Sequence, residues 1–257
     1  MDFGSAILLV GVGVIGGAIS ALVGGAAIVT FPTLIASGLS PVAASATNLV
    51  ALIPGNFLAS LYDRTQLPPL DRSFVGLIVS SLIGAAIGAA LLMITPERMF
   101  AALVPALLGF ATILFAYAGR ISTWMRERAA ARGKDRSGRW SSTVLPLLPV
   151  SIYTGYFGAG AGVMLLGVLS IGTAGDYRSA NVTKNLITSL NSVVAGMIYV
   201  AQDKVAWPAM FAMMTGALVG ALIGARLAQI VPREVMRVVV VVVGAVLTFA
   251  FARRYWF

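Results

Sequence analysis

The chain has 257 residues, of which 59% are hydrophobic and 11% charged, with a mean hydropathy of +0.94. Soluble domains carry about a quarter of charged residues, so this composition belongs to an integral membrane protein. The absence of cysteine and histidine excludes thiol chemistry, imidazole-ligated zinc or haem and any Ser-His pair, and the formal charge of +9 is gathered in one linker and at the C-terminus, where it is no nucleic-acid face.

Apolar runs of about 20 residues, enough to cross the hydrocarbon core as helix, recur along the chain. They lack the alternation of a β-barrel, so the expected fold is all-α, a polytopic transmembrane helical bundle. The start, Met1-Asp2-Phe3, has no basic region of a signal peptide, and the run after it reads as a retained first helix. That first unit, 5–36, is too long for one perpendicular span, since its 32 residues of helix would reach about 48 Å. It must be tilted, broken or re-entrant, with Gly24-Gly25 at the break and Pro32 following. Units 41–62, 73–94 and 97–119 complete the first half. Tyr62, at a helix end, reads as an interfacial belt residue. Gly84 and Gly88 share one helix face, which packing explains; a sliding surface is the alternative.

The segment 120–141 is basic, with Arg120, Arg126, Arg128, Arg132, Lys134, Arg136 and Arg139 against Glu127 and Asp135. Such a loop follows the positive-inside rule, so it is expected in the cytoplasm, against anionic headgroups. Beyond it come units 142–173, 177–201, 206–230 and 233–252. Tyr199 is read like Tyr62, and Arg226, close before Pro232, as a snorkelling side chain.

The two halves match. "LVGGAAIV" (22–29) aligns with "YFGAGAGV" (156–163), and "TNLVALIPGNFLASLY" (47–62) with "KNLITSLNSVVAGMIY" (184–199). "IGAAIGAALLMITPER" (83–98) aligns with "VGALIGARLAQIVPRE" (219–234). Blocks matched in the same order indicate an internal duplication of four units plus four. It divides the chain into a first membrane repeat (1–119), the basic linker (120–141) and a second membrane repeat (142–257). With four crossings per half, Arg253-Arg254 would share the cytoplasmic side with the linker. Re-entrant first units would instead invert the repeats, and the sequence leaves both open.

The Gly-rich break, the Asn-Leu helix after it and the duplication about a basic loop resemble the TauE/SafE family of sulfite and organosulfonate anion transporters, also called the toluene-sulfonate uptake permease family. The most specific pieces are "GYFGAGAGVMLL" (155–166) and "NVTKNLITSLNSVVAG" (181–196), and the resemblance covers nearly the whole chain. It implies a bacterial inner-membrane carrier of sulfur-containing anions, often exporting them.

On a helix, Asn181, Lys184, Thr188 and Asn191 form one polar stripe, flanked by Asn185 and Ser192. A charge near the bilayer centre costs about 2.5–3.5 kcal/mol on insertion scales, so an intramembrane lysine is expected to face the bundle interior. The expected anion site joins Lys184, Asn185, Thr188, Asn181 and Asn191 to Asn48 and to the breaks at Gly24, Gly25, Gly158, Gly160 and Gly162. Broken helices offer unpaired N–H groups and a favourable dipole there. The bland alternatives are a snorkelling Lys184 and asparagines acting as interhelical glue. In the first copy, Thr47, Ala51 and Pro54 replace Lys184, Thr188 and Asn191, so one site dominated by the second half is expected. Neither metal, cofactor nor catalytic residue is expected.

The acids 63, 71, 97, 176, 203 and 234 all fall at segment ends. A conventional proton relay is therefore missing, and an anion leaves a cell that is negative inside without a driving ion, which favours export by alternating access. The alternatives are an anion channel or an importer of sulfonates. More remotely, "LYD" (61–63) and "TAGD" (173–176) suggest an intramembrane aspartyl protease.

Overall fold

The structure is a computed structural model that describes residues 2–22, 24–131, 141–173, 176–227 and 233–256. Its described elements are helical throughout: α1 (Phe3–Leu22), α2 (Ala27–Ala36), α3 (Pro41–Ala51), α4 (Ile53–Tyr62), α5 (Arg72–Ile94), α6 (Glu97–Ala116), α7 (Ala118–Ala131), α8 (Ser141–Tyr156), α9 (Ala161–Gly172), α10 (Tyr177–Ala201), α11 (Trp207–Leu227) and α12 (Arg233–Trp256). A short 3-10 turn, Arg64–Gln66, follows α4. By length and composition, 6 of the described helical segments can cross a membrane. The polytopic helical bundle read from the sequence is thus the observed fold.

Local chemistry sets the boundaries. Ser40 accepts from the Ala43 N–H at the start of α3, with Pro41 in the first turn where its missing N–H costs nothing. Asp71 caps α5 by accepting from the Phe74 N–H at 2.7 Å, and Asp176 caps α10 by accepting from the Arg178 N–H at 2.9 Å. Pro54, at the head of α4, marks the kink that separates α3 from α4 at Leu52.

Both long first units are broken, and both breaks are built alike. The Gly24 N–H reaches back to the Ile19 carbonyl at 3.0 Å, and the Gly158 N–H to the Tyr153 carbonyl at 3.1 Å. Each glycine is left-handed, with φ of 81° and 77°, which an L side chain adopts only with strain. Pro32 lies inside α2 and takes no part in the break.

The breaks turn the chain back on itself, as the helix directions show. Gly216, Gly220 and Gly224 of α11 press on Val10, Val14 and Ala18 of α1 in ascending order, so these helices run parallel. Gly84 and Gly88 of α5 meet Leu148 and Ile152 of α8 in the same sense. At all these glycines a Cβ would collide with backbone of the partner helix, which is close packing of the small-residue kind. Thr47, in the first third of the α3–α4 span 41–62, accepts from the Ala206 N–H at the head of α11, at 3.0 Å. The chain has therefore returned through α2 to the end where α1 began. At the opposite end, Arg178 at the head of α10 pairs with Asp63 at the foot of α4, at 2.8 Å. The α8–α9 pair starts and finishes there. Two helical hairpins thus enter from opposite ends and meet tip to tip: a Cβ on Gly24 would stand 2.7 Å from the Gly162 Cα.

This geometry changes the expected sidedness. Helices α6 and α12 are antiparallel, with Trp256 Nε1 donating to the Ala102 carbonyl at 2.9 Å and Thr248 beside Gly109. The linker follows the far end of α6, so Arg253-Arg254 stand at the other end of the bundle from it. The expectation that both share one side is corrected, because folding back the first units leaves an odd number of full crossings in each half. The linker's first residues are helical in α7, and 132–140 lie outside the described residues.

The core is continuous around the hairpin tips. Phe31 of α2 packs edge-on to Phe157 at 5.0 Å between centroids, and Phe157 in turn meets Phe100 of α6. Tyr199 is fully buried, and its hydroxyl donates to the Gly155 carbonyl. It is therefore no interfacial belt residue, whereas Tyr62 is exposed at the end of α4. The side chain of Arg226 lies outside the described side chains.

Candidate functional site

A cavity lies where the two hairpin tips meet α3, α4 and α10. It is lined by Ser20 and Gly24 from the first hairpin, Gly158 and Gly162 from the second, Asn48 and Asn56 from α3 and α4, and Lys184, Thr188 and Ser192 from α10. Leu49, Leu52 and the alanines 26, 27 and 161 supply its apolar wall, and Thr154 completes the lining.

Lys184 is 1% exposed. Its Nζ donates to the Ser20 carbonyl at 3.1 Å, and the ammonium stands beside the Gly24 break. The side chain therefore runs inward to the hairpin tips and does not snorkel. The end of α1 is a natural seat for it, because the last carbonyls of a helix lack intrahelical partners and carry the negative end of the dipole. Among the described residues no carboxylate lines the cavity, and their one ion pair, Asp63–Arg178, is at the bundle's end.

The amides are oriented by neighbouring hydroxyls. Asn48 Oδ1 accepts from Thr30 Oγ1 at 2.5 Å, and Asn56 Oδ1 accepts from Ser20 Oγ at 2.6 Å. With the oxygens held by these hydroxyls, the NH2 group of each amide is oriented as a donor. Thr188 Oγ1 is buried without a partner among the described residues. The heads of α2 and α9 border the same space, with the Ile28, Ala161 and Val163 N–H groups already bonded to the Gly25, Gly158 and Gly160 carbonyls. The cavity thus offers amide and hydroxyl donors and one positive charge.

The structure divides the expected site. It brings together Lys184, Thr188, Asn48, Gly24, Gly158 and Gly162. Asn181 points to the end of α1, donating to the Ala21 carbonyl at 3.4 Å. Asn191 faces α5 and α8, where its Oδ1 accepts from Ser81 Oγ at 2.7 Å and Ser81 lies 2.9 Å from Ser151. Asn185 is buried outside the lining, Gly25 packs on the Phe115 ring, and Gly160 abuts Ala111 of α6. Ser20, Asn56 and Thr154 are lining residues that sequence reasoning missed. Asn56 had a signal: it lies two helical turns beyond Asn48, but its repeat partner is the apolar Val193.

A polar, cationic cavity enclosed by a multi-pass helical bundle defines a membrane transporter for small solutes. The chain belongs to the sulfite exporter TauE/SafE family, whose model matches residues 9–251. It is 26% identical to a "Probable membrane transporter protein" of Haemophilus influenzae over 260 residues, covering 96% of this chain and 95% of that one. It is 25% identical to "Probable membrane transporter protein YfcA" of Escherichia coli K12 over 243 residues, covering 92% and 86%. No solved structure matches the chain.

Proposed function

We propose that the protein carries small sulfur-containing oxyanions, sulfite or organosulfonates, out of a bacterial cell across the inner membrane. One observation carries this reading: the charged group lining the cavity is a lysine, with amide and hydroxyl donors around it and no carboxylate among the described residues. Three or four oxygens on one sulfur suit such a cluster of fixed donors. Alternating access fits the two hairpins that enter from opposite ends and meet at the site, since rocking one against the other would open either side. The basic linker end is the cytoplasmic one by the positive-inside rule. Export follows from the membrane potential, which expels an anion, while the lining holds no acidic group to bind a driving cation.

The test is a flux assay in proteoliposomes with sulfite, sulfate, thiosulfate, taurine, sulfoacetate and chloride, on wild type and Lys184→Ala. Saturable flux of a sulfur anion that the variant lacks is expected. Unchanged transport in Lys184→Ala would remove the lysine from the mechanism, and flux that never saturates would make the protein a channel.

A further inference from the structure

The cavity's charge inventory says more about its occupant than that it is an anion. Lys184 is 1% exposed and is the sole charged side chain of the lining among the described residues. The elements packed around it contribute Ser20, Asn48, Asn56, Thr154, Thr188 and Ser192 as their polar side chains, all uncharged. The described carboxylates stay outside the site: Asp63 is held by Arg178, and Asp71 and Asp176 cap helices at their ends. Helix ends add only partial charges.

We infer that the site accepts one monovalent oxyanion, of the alkanesulfonate or hydrogen-sulfite type, and discriminates against divalent anions and zwitterions. This rests on the transport reading above and sharpens it. One ammonium balances one negative charge among buried side chains, and a second charge would sit there without a counter-ion. A dianion such as sulfate or sulfoacetate brings that second charge. Taurine brings an ammonium of its own, for which the described lining has no carboxylate, and Asn48 Oδ1 and Asn56 Oδ1 already accept from Thr30 and Ser20. The apolar wall of Leu49, Leu52 and the nearby alanines suits the alkyl end of a simple sulfonate.

The experiment compares proteoliposome flux of methanesulfonate, sulfate, sulfoacetate and taurine, and of sulfite at pH values on either side of its second ionisation. Methanesulfonate is expected to move faster than sulfate or sulfoacetate by about 100-fold or more. Sulfite flux should follow the hydrogen-sulfite fraction. Asn56→Asp gives a second measurement: it keeps an acceptor for Ser20 Oγ and places a carboxylate against Ser20, whose carbonyl receives Lys184. That variant should lose methanesulfonate flux and gain taurine flux relative to it. Divalent anions moving as fast as methanesulfonate would overturn the valence inference while leaving anion transport intact. Failure of every anion to move would overturn the transport reading itself.

Discussion

Lys184 and Ser20 lie 164 positions apart, yet the ammonium of one donates to the backbone carbonyl of the other at 3.1 Å. The same serine's hydroxyl donates to Asn56 Oδ1. A single residue at the end of α1 thereby ties together the first hairpin, α4 and α10 around the cavity.

Replacing Lys184 separates function from stability. Lys184→Met keeps the volume and removes a buried charge with no carboxylate partner, so its unfolding free energy should change by no more than about 1–2 kcal/mol in either direction. Flux should fall to background. A melting curve in detergent beside a flux assay measures both, and a variant that fails to fold would show that the charge is structural.

The two hairpin tips leave no room for a methyl group. In Gly162→Ala the new Cβ would meet the Gly24 Cα at 2.5 Å, and in Gly24→Ala a left-handed φ of 81° adds strain. Gly38 has a φ of 95° with nothing within 4 Å, so Gly38→Ala carries strain alone, about 1–2 kcal/mol. Purified Gly38→Ala should transport like wild type, whereas both tip variants should be inactive. Equal activity in all of them would show that tip contact is not needed.

Helix contacts built on glycine should be far more sensitive than glycines facing outward. Gly88→Ala would drive a Cβ into the Ile152 carbonyl and pry α5 from α8, while Gly76 has nothing within 4 Å. Gly76→Ala should stabilise by about 0.5–1 kcal/mol through helix propensity, and Gly88→Ala should lower the folded yield sharply. Size-exclusion profiles and melting temperatures report the difference.

Tyr199→Phe isolates one buried hydrogen bond. The hydroxyl satisfies the Gly155 carbonyl at the end of α8, and losing it should cost about 1–3 kcal/mol. A melting temperature unchanged from wild type would mean that the carbonyl finds another donor.

The Asp63–Arg178 pair is a surface contact, with the arginine side chain 68% exposed. Arg178→Ala should leave stability nearly unchanged, and any loss should shrink further in high salt. Asp63→Ala and Asp176→Ala should leave flux intact. Loss of cleavage of a membrane peptide in those variants would instead revive a proteolytic role.

The inward course of Lys184 was legible because three- and four-residue spacing aligned it with Thr188 on an otherwise apolar helix. The same periodicity could not show that Asn191 belongs to a different contact, since which helix faces each turn of α10 is a tertiary fact. Asn56 escaped because Pro54 and the kink at Leu52 give the first copy a bend its counterpart lacks, so matched positions no longer face the same way. The two breaks were visible as glycines. Whether the chain passed on or turned back depended on the left-handed φ of Gly24 and Gly158, and hydropathy carries no information on direction.

The pairing of α1 with α11 and of α5 with α8 also bears on how the chain is made. Helix α1 is synthesised long before α11, so the face of α1 that meets the α11 glycines stays uncovered until most of the described helices have been made. Neither half holds a complete set of neighbours. Cut within the linker, the protein should yield two fragments that are stable only when produced together.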